Sequence, residues 1–203
     1  MKTLKSVFIC ILIISVYACS KEDDNSQQQE GSELIDNFLD ADIINALNTL
    51  GFNFRTGSET PNIAGDFKFD PLLLISNTTN ITYENEVNYI NGSIYKISNL
   101  NAENRKFNFQ ITDLVGNPSF TLTSDTFYYG EGNSFCAFVK LLPYEQSEEP
   151  YLLLAISGVV SEDGIINAEQ AYVNLTDREE FGFESLRGQG QLARDDDNLA
   201  ERQ

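Results

Sequence analysis

From Gly65 to Leu175 apolar and polar residues alternate in short runs, and turn signals separate the runs. Lys106 to Thr112 puts Phe107, Phe109 and Ile111 on one side and Asn108 and Gln110 on the other, the period of a half-buried strand. In the same way Phe135, Ala137 and Val139 share a face, and Cys136, Phe138 and Lys140 share the opposite one. A period of two cannot serve an amphipathic helix, whose apolar positions recur every three to four residues. The pattern predicts strands at Gly65–Phe69, Leu72–Ser76, Thr82–Tyr89, Ser93–Asn99, Lys106–Thr112, Ser119–Tyr129, Ser134–Leu142, Tyr151–Val160 and Ile165–Leu175. Between them stand Asp70-Pro71, Asn91-Gly92, Gly116-Asn117-Pro118, Gly130-Glu131-Gly132-Asn133 and Glu162-Asp163-Gly164. Asn-Gly and Asp-Gly tolerate the positive φ of tight hairpins, so short strands joined this way imply an antiparallel meander. Tyr151–Val160 is apolar throughout, which predicts a central strand covered on both faces, with Gly158 marking a bulge.

The cover is expected from the segment before the strands. Leu34, Ile35, Phe38, Leu39, Ile43, Ala46, Leu47 and Leu50 recur at helical spacing, predicting a helix over Ser32–Leu50 that Gly51 stops. Asp40 is a candidate cap for a second helix, so a kink or break there is expected. Packing on its own domain is the preferred role for this face, and binding another protein is the alternative. The C-terminal end, Ser185–Gln203, is polar and charged; it reads as a tail, with Leu192 and Leu199 available to pin it.

The N-terminus carries a different message. Lys2 and Lys5 precede an apolar run of 11 residues, Val7–Tyr17. At about 1.5 Å per residue this is too short to span a membrane but suits the core of a signal peptide. Val16-Tyr17-Ala18-Cys19 resembles the lipobox of bacterial lipoproteins, with Tyr17 where a small residue is usual. That resemblance implies a diacylglycerol on the Cys19 sulfur, cleavage before Cys19 and acylation of the new amine, an anchor of two or more chains that holds stably. Ser20, Lys21, Glu22, Asp23 and Asp24 resemble the export signal of lipoproteins carried to the outer face of the outer membrane; a merely solvated acidic tether is the alternative. The expected organisation is a leader at 1–18, a flexible acidic tether at 19–31 with nothing apolar to bury, and a single domain at 32–203.

Charge narrows the partners. Without residues 1–18 the chain keeps 185 residues, with 11 Lys+Arg against 31 Asp+Glu, a net charge of −20. Such a surface repels nucleic acid, whose binding needs cations against phosphates. The chain has no His, so the commonest general base and transition-metal ligand is missing. Of three cysteines, Cys10 leaves with the leader, Cys19 takes lipid, and Cys136 is left as a small buried side chain with no disulfide partner. Glu148-Glu149 and Glu179-Glu180 are adjacent acids that point apart on a strand, unlike the facing carboxyl pair of a glycosidase. Asp195-Asp196-Asp197-Asn198 lacks the sixth-position glycine and twelfth-position glutamate of a calcium loop and reads as a solvated end. No metal, cofactor or catalytic residue is assigned. Tyr128 and Tyr129, near a turn, are the best candidates for exposed rings that would stack on a sugar.

Several motifs together resemble an uncharacterised family of bacterial surface lipoproteins over residues 33–203. They are Gly51, Pro61-Asn62-Ile63-Ala64-Gly65-Asp66-Phe67, Pro71, Gly130-Glu131-Gly132-Asn133-Ser134-Phe135, Ile156-Ser157-Gly158, Asp163-Gly164-Ile165 and the Asp-rich close Arg194–Glu201. Gly65-Asp66-Phe67 after a leading helix is also similar to the Gly-X-aromatic pattern of lipocalins, with Phe67 in place of Trp. The glycine there permits close approach and the aromatic plugs the closed end of a barrel. The resemblance implies a mainly β fold, an antiparallel meander closing into a lipocalin-like barrel with one N-terminal helix. The expected role is a lipid-anchored, non-catalytic binding module for a small apolar molecule or a glycan. The alternative is a ligand-free structural or interaction component of a surface complex, bound to a protein partner.

Overall fold

The computed structural model describes residues 34–79, 89–116, 118–120, 123–142, 149–180 and 183–203. Cys19, the Ser20–Asp24 segment and residues 82–88 of an expected strand lie outside them. Residues 34–36 form one helical turn. The chain is then extended at Asp40 (φ −69°, ψ 150°), and helix α1 runs Ala41–Leu50, so the expected helix breaks where its second cap stands. Gly51 ends it at φ 85°, its N–H donating to the Asn48 carbonyl at 3.0 Å. Among the described residues no helix is long and apolar enough to cross a membrane.

In chain order the strands are β1 (Gly65–Phe69), β2 (Leu72–Asn77), β3 (Tyr89–Ile90), β4 (Ser93–Asn101), β5 (Lys106–Thr112), β6 (Pro118–Phe120) and β7 (Thr123–Glu131). They continue as β8 (Ser134–Leu141), β9 (Leu152–Val160), β10 (Gly164–Asn174), β11 (Arg178–Glu180), β12 (Phe183–Ser185), β13 (Gly190–Asp195) and β14 (Leu199–Arg202). The ladders described are antiparallel: β1 pairs with β4, and neighbours in sequence pair as β4 with β5, β7 with β8, β8 with β9 and β9 with β10. The fold is therefore a mainly β, antiparallel meander with one principal helix, as the alternation requires.

The C-terminal end departs from its sequence reading. Rather than a tail, β13 and β14 both lie along β10, and they join β10 to β2 and β1 respectively. A polar segment can take a central place because a ladder satisfies its backbone from both sides whatever its side chains are. The small residues Ala193 and Ala200 then face the core.

Between β5 and β7 no ladder is present among the described residues. The two strands meet instead through the Tyr128 N–H, which donates to the Arg105 carbonyl at 3.1 Å. The Thr126 hydroxyl accepts from the Phe107 N–H at 3.0 Å and donates to the Phe107 carbonyl at 2.8 Å. Lys106 and Asp125 form an ion pair across the same seam.

A line of interruptions crosses the sheet. It passes through Asn91-Gly92 between β3 and β4, Asp70-Pro71 between β1 and β2, and Asp196, Asp197 and Asn198 between β13 and β14. In β10 it falls at a bulge between Ile166 and Glu169, with Asn167 at φ 51°. Bulges bend a strand and increase its twist, so breaks aligned on neighbouring strands form a corner. The expected irregularity at Gly158 proves to sit in its partner strand: a Cβ at Gly158 would lie 2.3 Å from Ile165 Cγ2.

Both faces of the sheet are covered. Phe67, Phe69, Tyr95, Phe107, Phe109, Tyr128 and Phe135 belong to one core with Leu154 and Ile156. Ile43, Leu47 and Leu50 of α1 join Tyr129, Phe138, Leu153, Ala155 and Leu192 in a second core on the other face. The helix therefore packs on its own domain. Arg187 holds its N-terminal end, donating from Nε to Asp42 at 2.6 Å, from Nη2 to Asp40 and from Nη1 to the Leu175 carbonyl. The guanidinium keeps the Asp42 carboxyl below the usual carboxylate range.

Two outcomes follow from this packing. Deleting residues 199–203 removes the strand between β1 and β10, so the truncated chain should lose its native amide dispersion in NMR spectra. Leu47→Ala, at a fully buried helix position, should lower stability by about 2–5 kcal/mol in urea unfolding.

Candidate functional site

The residues singled out for chemistry are mostly dispersed. Cys136 is wholly buried on β8; the Arg55 N–H donates to its Sγ at 3.1 Å, and burial pushes the thiol up to about 12. Glu149 lies beside Pro150 in a cleft between the helix and the sheet, while Glu148 is outside the described residues. Glu179 and Glu180 lie in the β11–β12 hairpin.

Tyr128 and Tyr129 overturn the sugar-stacking reading. They are 1% and 2% exposed. Tyr128 meets Phe107 edge to face at 5.8 Å, and Tyr129 stacks on Phe138 at 6.2 Å on the opposite side. Consecutive strand residues point to opposite faces, and here both faces are covered, so neither ring reaches solvent. Burial raises the pKa of both phenols.

Ser157 and Glu169 form a polar pair that spacing did not reveal, since it joins β9 to β10. The Ser157 hydroxyl donates to Glu169 Oε1 at 3.0 Å, the Asn53 N–H donates to the same oxygen at 2.6 Å, and Arg194 Nη2 lies 3.6 Å from Oε2. Ser157 is fully buried, so it cannot meet a substrate; the group fastens the segment after α1 to the sheet. Among the described residues no three His, Cys, Asp or Glu side chains are placed to hold a metal ion.

The arrangement best placed to meet another molecule lies at the corner. A cleft of about 630 Å³ is lined by Asp70, Pro71, Tyr89, Ile90, Asn91 and Gly92 together with Asp113, Leu114 and Val115. Tyr89, Leu114 and Val115 are 47%, 43% and 82% exposed, an apolar grouping held open to solvent. The Tyr89 hydroxyl donates to Asp196 Oδ2 at 2.8 Å, which raises the phenol's pKa and fixes the ring. The Asp196 N–H donates to the Pro71 carbonyl at 3.0 Å, and the Asp70 N–H to Asp195 Oδ2 at 3.1 Å, so the C-terminal strands hold one wall. Lys68 pairs with Asp70 at 3.0 Å, and its amine is raised chiefly by that carboxylate.

The cleft offers one aromatic ring, aliphatic surface and carboxylates. Its residues come from three separated loops, two of which read from sequence only as turns.

Two expected outcomes test this assignment. The Cys136 thiol should resist iodoacetamide in the native chain near neutral pH and react on unfolding in urea, read by mass spectrometry of its peptide. Val115→Ala, at a largely exposed position, should change stability by less than about 0.5 kcal/mol.

No protein-family model, curated protein or solved structure matches this chain, so the reading of the site rests on its own geometry.

Proposed function

We propose that this chain is a surface-displayed lipoprotein, anchored through acyl chains on Cys19, whose domain acts non-catalytically as an interaction component of an outer-membrane surface complex. The observation that carries this reading is the contrast between the two surfaces. The inner core is occupied by the rings of Phe67, Phe69, Tyr95, Phe107, Tyr128 and Phe135, while exposed apolar side chains gather in the outer cleft at Tyr89, Leu114 and Val115. A domain filled with its own side chains works through its exterior.

The position of the cleft supports the same reading. Lys106 Nζ lies 5.3 Å from the centroid of the Phe38 ring, close to where the described chain begins. Leu114 and Val115 follow the far end of β5. Seven residues at about 3.3 Å each separate the two ends by roughly 20 Å. The cleft thus lies at the end of β5 distant from Phe38.

The fold proposed for this domain is a lipocalin-like barrel. In this reading strands β1, β4, β5, β7, β8, β9, β10 and β14 would follow one another around the barrel, and the contacts of Thr126 with Phe107 and of Tyr128 with Arg105 across the unpaired β5–β7 seam support it. The contacts of Gly65, Phe67 and Arg202 support the same reading, at what would be the closed end. The Arg202 guanidinium lies 4.8 Å from the Phe67 ring centroid and donates to the Ala64 carbonyl at 3.0 Å. A Cβ on Gly65 would fall 2.3 Å from Arg202 Nη1, so the glycine allows this approach.

A second reading, a binding module for a small apolar molecule or glycan, is favoured by Tyr89 alone, whose half-exposed ring is held by Asp196 in a stacking position. One experiment separates the two. The lipidated protein is isolated from its own membranes in mild detergent as wild type and as Val115→Asp. Acyl mass on the Cys19 peptide and a protein partner retained by wild type but lost from Val115→Asp are expected. A bound small molecule or glycan in native mass spectra, without any protein partner, would favour the second reading, and an unmodified Cys19 would remove the anchor.

A further inference from the structure

The Asn91-Gly92 turn lines the outer cleft and is not the hairpin that its residues suggest. It is the one place in the chain where Gly follows Asn. Among the described residues no ladder joins the strands it connects: β3 pairs with β2, and β4 with β1 and β5. A hairpin would hold both residues between two laddered strands. Here the turn is a crossover at the corner. Asn91 is exposed, and among the described residues neither its side chain nor the Gly92 N–H has a hydrogen-bond partner. Gly92 is in turn required by its surroundings. A Cβ there would lie 2.5 Å from the Phe69 carbonyl oxygen, 2.6 Å from Asp70 Cβ and 2.7 Å from Asp70 Oδ1. The fold therefore demands, directly after an exposed asparagine, the residue with no side chain to shield its backbone nitrogen.

We propose that Asn91-Gly92 is a site of spontaneous covalent modification, which turns a neutral amide of the cleft into a carboxylate. The Gly92 nitrogen, on losing its proton, attacks Asn91 Cγ. The N–Cγ bond forms, the Cγ–Nδ2 bond breaks, and Nδ2 leaves as ammonia with a proton taken from solvent. Water then opens the cyclic imide. Attack at Cγ gives aspartate. Attack at the main-chain carbonyl carbon gives isoaspartate, in which the chain runs through Cβ and Cγ. One water is consumed and one ammonia released, with no change of oxidation state. Either product adds a negative charge to the cleft that Asp70 and Asp113 already line. Isoaspartate also lengthens the backbone between β3 and β4 by one methylene. The consequence for function rests on the interaction reading above. A partner covering Tyr89, Leu114 and Val115 must then desolvate a charge where an amide stood, so the contact weakens.

Peptide mapping by mass spectrometry tests the chemistry on the full chain, kept folded at physiological temperature in neutral buffer. The peptide carrying Asn91 should exchange one ammonia for one water and separate into aspartate and isoaspartate forms. Its conversion should be several-fold that of Asn133, an exposed asparagine followed by Ser134 in the laddered β7–β8 hairpin. It should quicken in mildly alkaline buffer, since the Gly92 nitrogen must first lose its proton. Because the turn is untied, conversion in the native chain should approach that of the same chain in urea. An Asn91 that stays intact in the folded protein and converts only in urea would overturn the proposal. For the consequence, wild type and Asn91→Asp are isolated from their own membranes in mild detergent. Asn91→Asp should retain several-fold less partner than wild type, and equal retention would refute the effect on contact. Freshly isolated wild type without any partner would count against the interaction reading, while the peptide map still decides the chemistry.

Discussion

The structure depends on β10 being paired along both edges. On one side it carries β9, and on the other it carries β14 and then β13, laid end to end. That double pairing lets the last strands of the chain meet the first, since β13 and β14 in turn bind β2 and β1. Without it, β1 and β4 would be joined to the apolar β8–β9–β10 unit only across the β5–β7 seam, which is not a ladder. The energetic consequence is cooperative: a polar C-terminal segment bridges the two halves of the sheet by ladders, while the Phe107–Tyr128 contact joins them on the other side.

The second constraint is that the β7–β8–β9 part of the sheet is buried on both sides. Alternate residues of β8 and β9 enter different cores, with Ala137 and Ile156 on one side and Phe138 and Leu153 on the other. Burying a large apolar side chain contributes about 1.5–3 kcal/mol, so a helix that brings Ile43, Leu47 and Leu50 to the outer face supplies a substantial share of the folding free energy. The polar ties to that helix, through Arg187 at one end and through Asn53 and Glu169 at the other, fix its position more than they add to its stability.

The corner joins fold to function. An uninterrupted sheet would leave its turns small and its loops apart. Here the aligned breaks bring Tyr89, Leu114 and Val115 together beside Asp70 and give the proposed contact surface both its apolar centre and its acidic rim. The same breaks place Asp195 under the surface, where its carboxyl reaches the backbone of a neighbouring junction. These surface features lie away from the side on which Phe38 meets Lys106 and Lys140.

Much of the architecture was legible in the residues themselves, because alternation and turn chemistry are local properties. Phe107, Phe109 and Ile111 face inward as their spacing requires, Asp40 breaks the helix, and Gly51 ends it. The predicted anchor at Cys19 is equally a matter of local pattern, independent of any fold. What escaped sequence reading is decided by burial and pairing at a distance. Tyr128 and Tyr129 lie next to a turn, yet both are covered, because the partners that cover them come from β5 on one side and β8 on the other. Residues 190–202 carry few large apolar side chains, so they read as a tail; their place inside the sheet is set by backbone hydrogen bonds, which leave no trace in residue type. Likewise Asp195, one acid among many in a charged segment, becomes a buried carboxyl only when the tertiary structure wraps β2 and β10 around it.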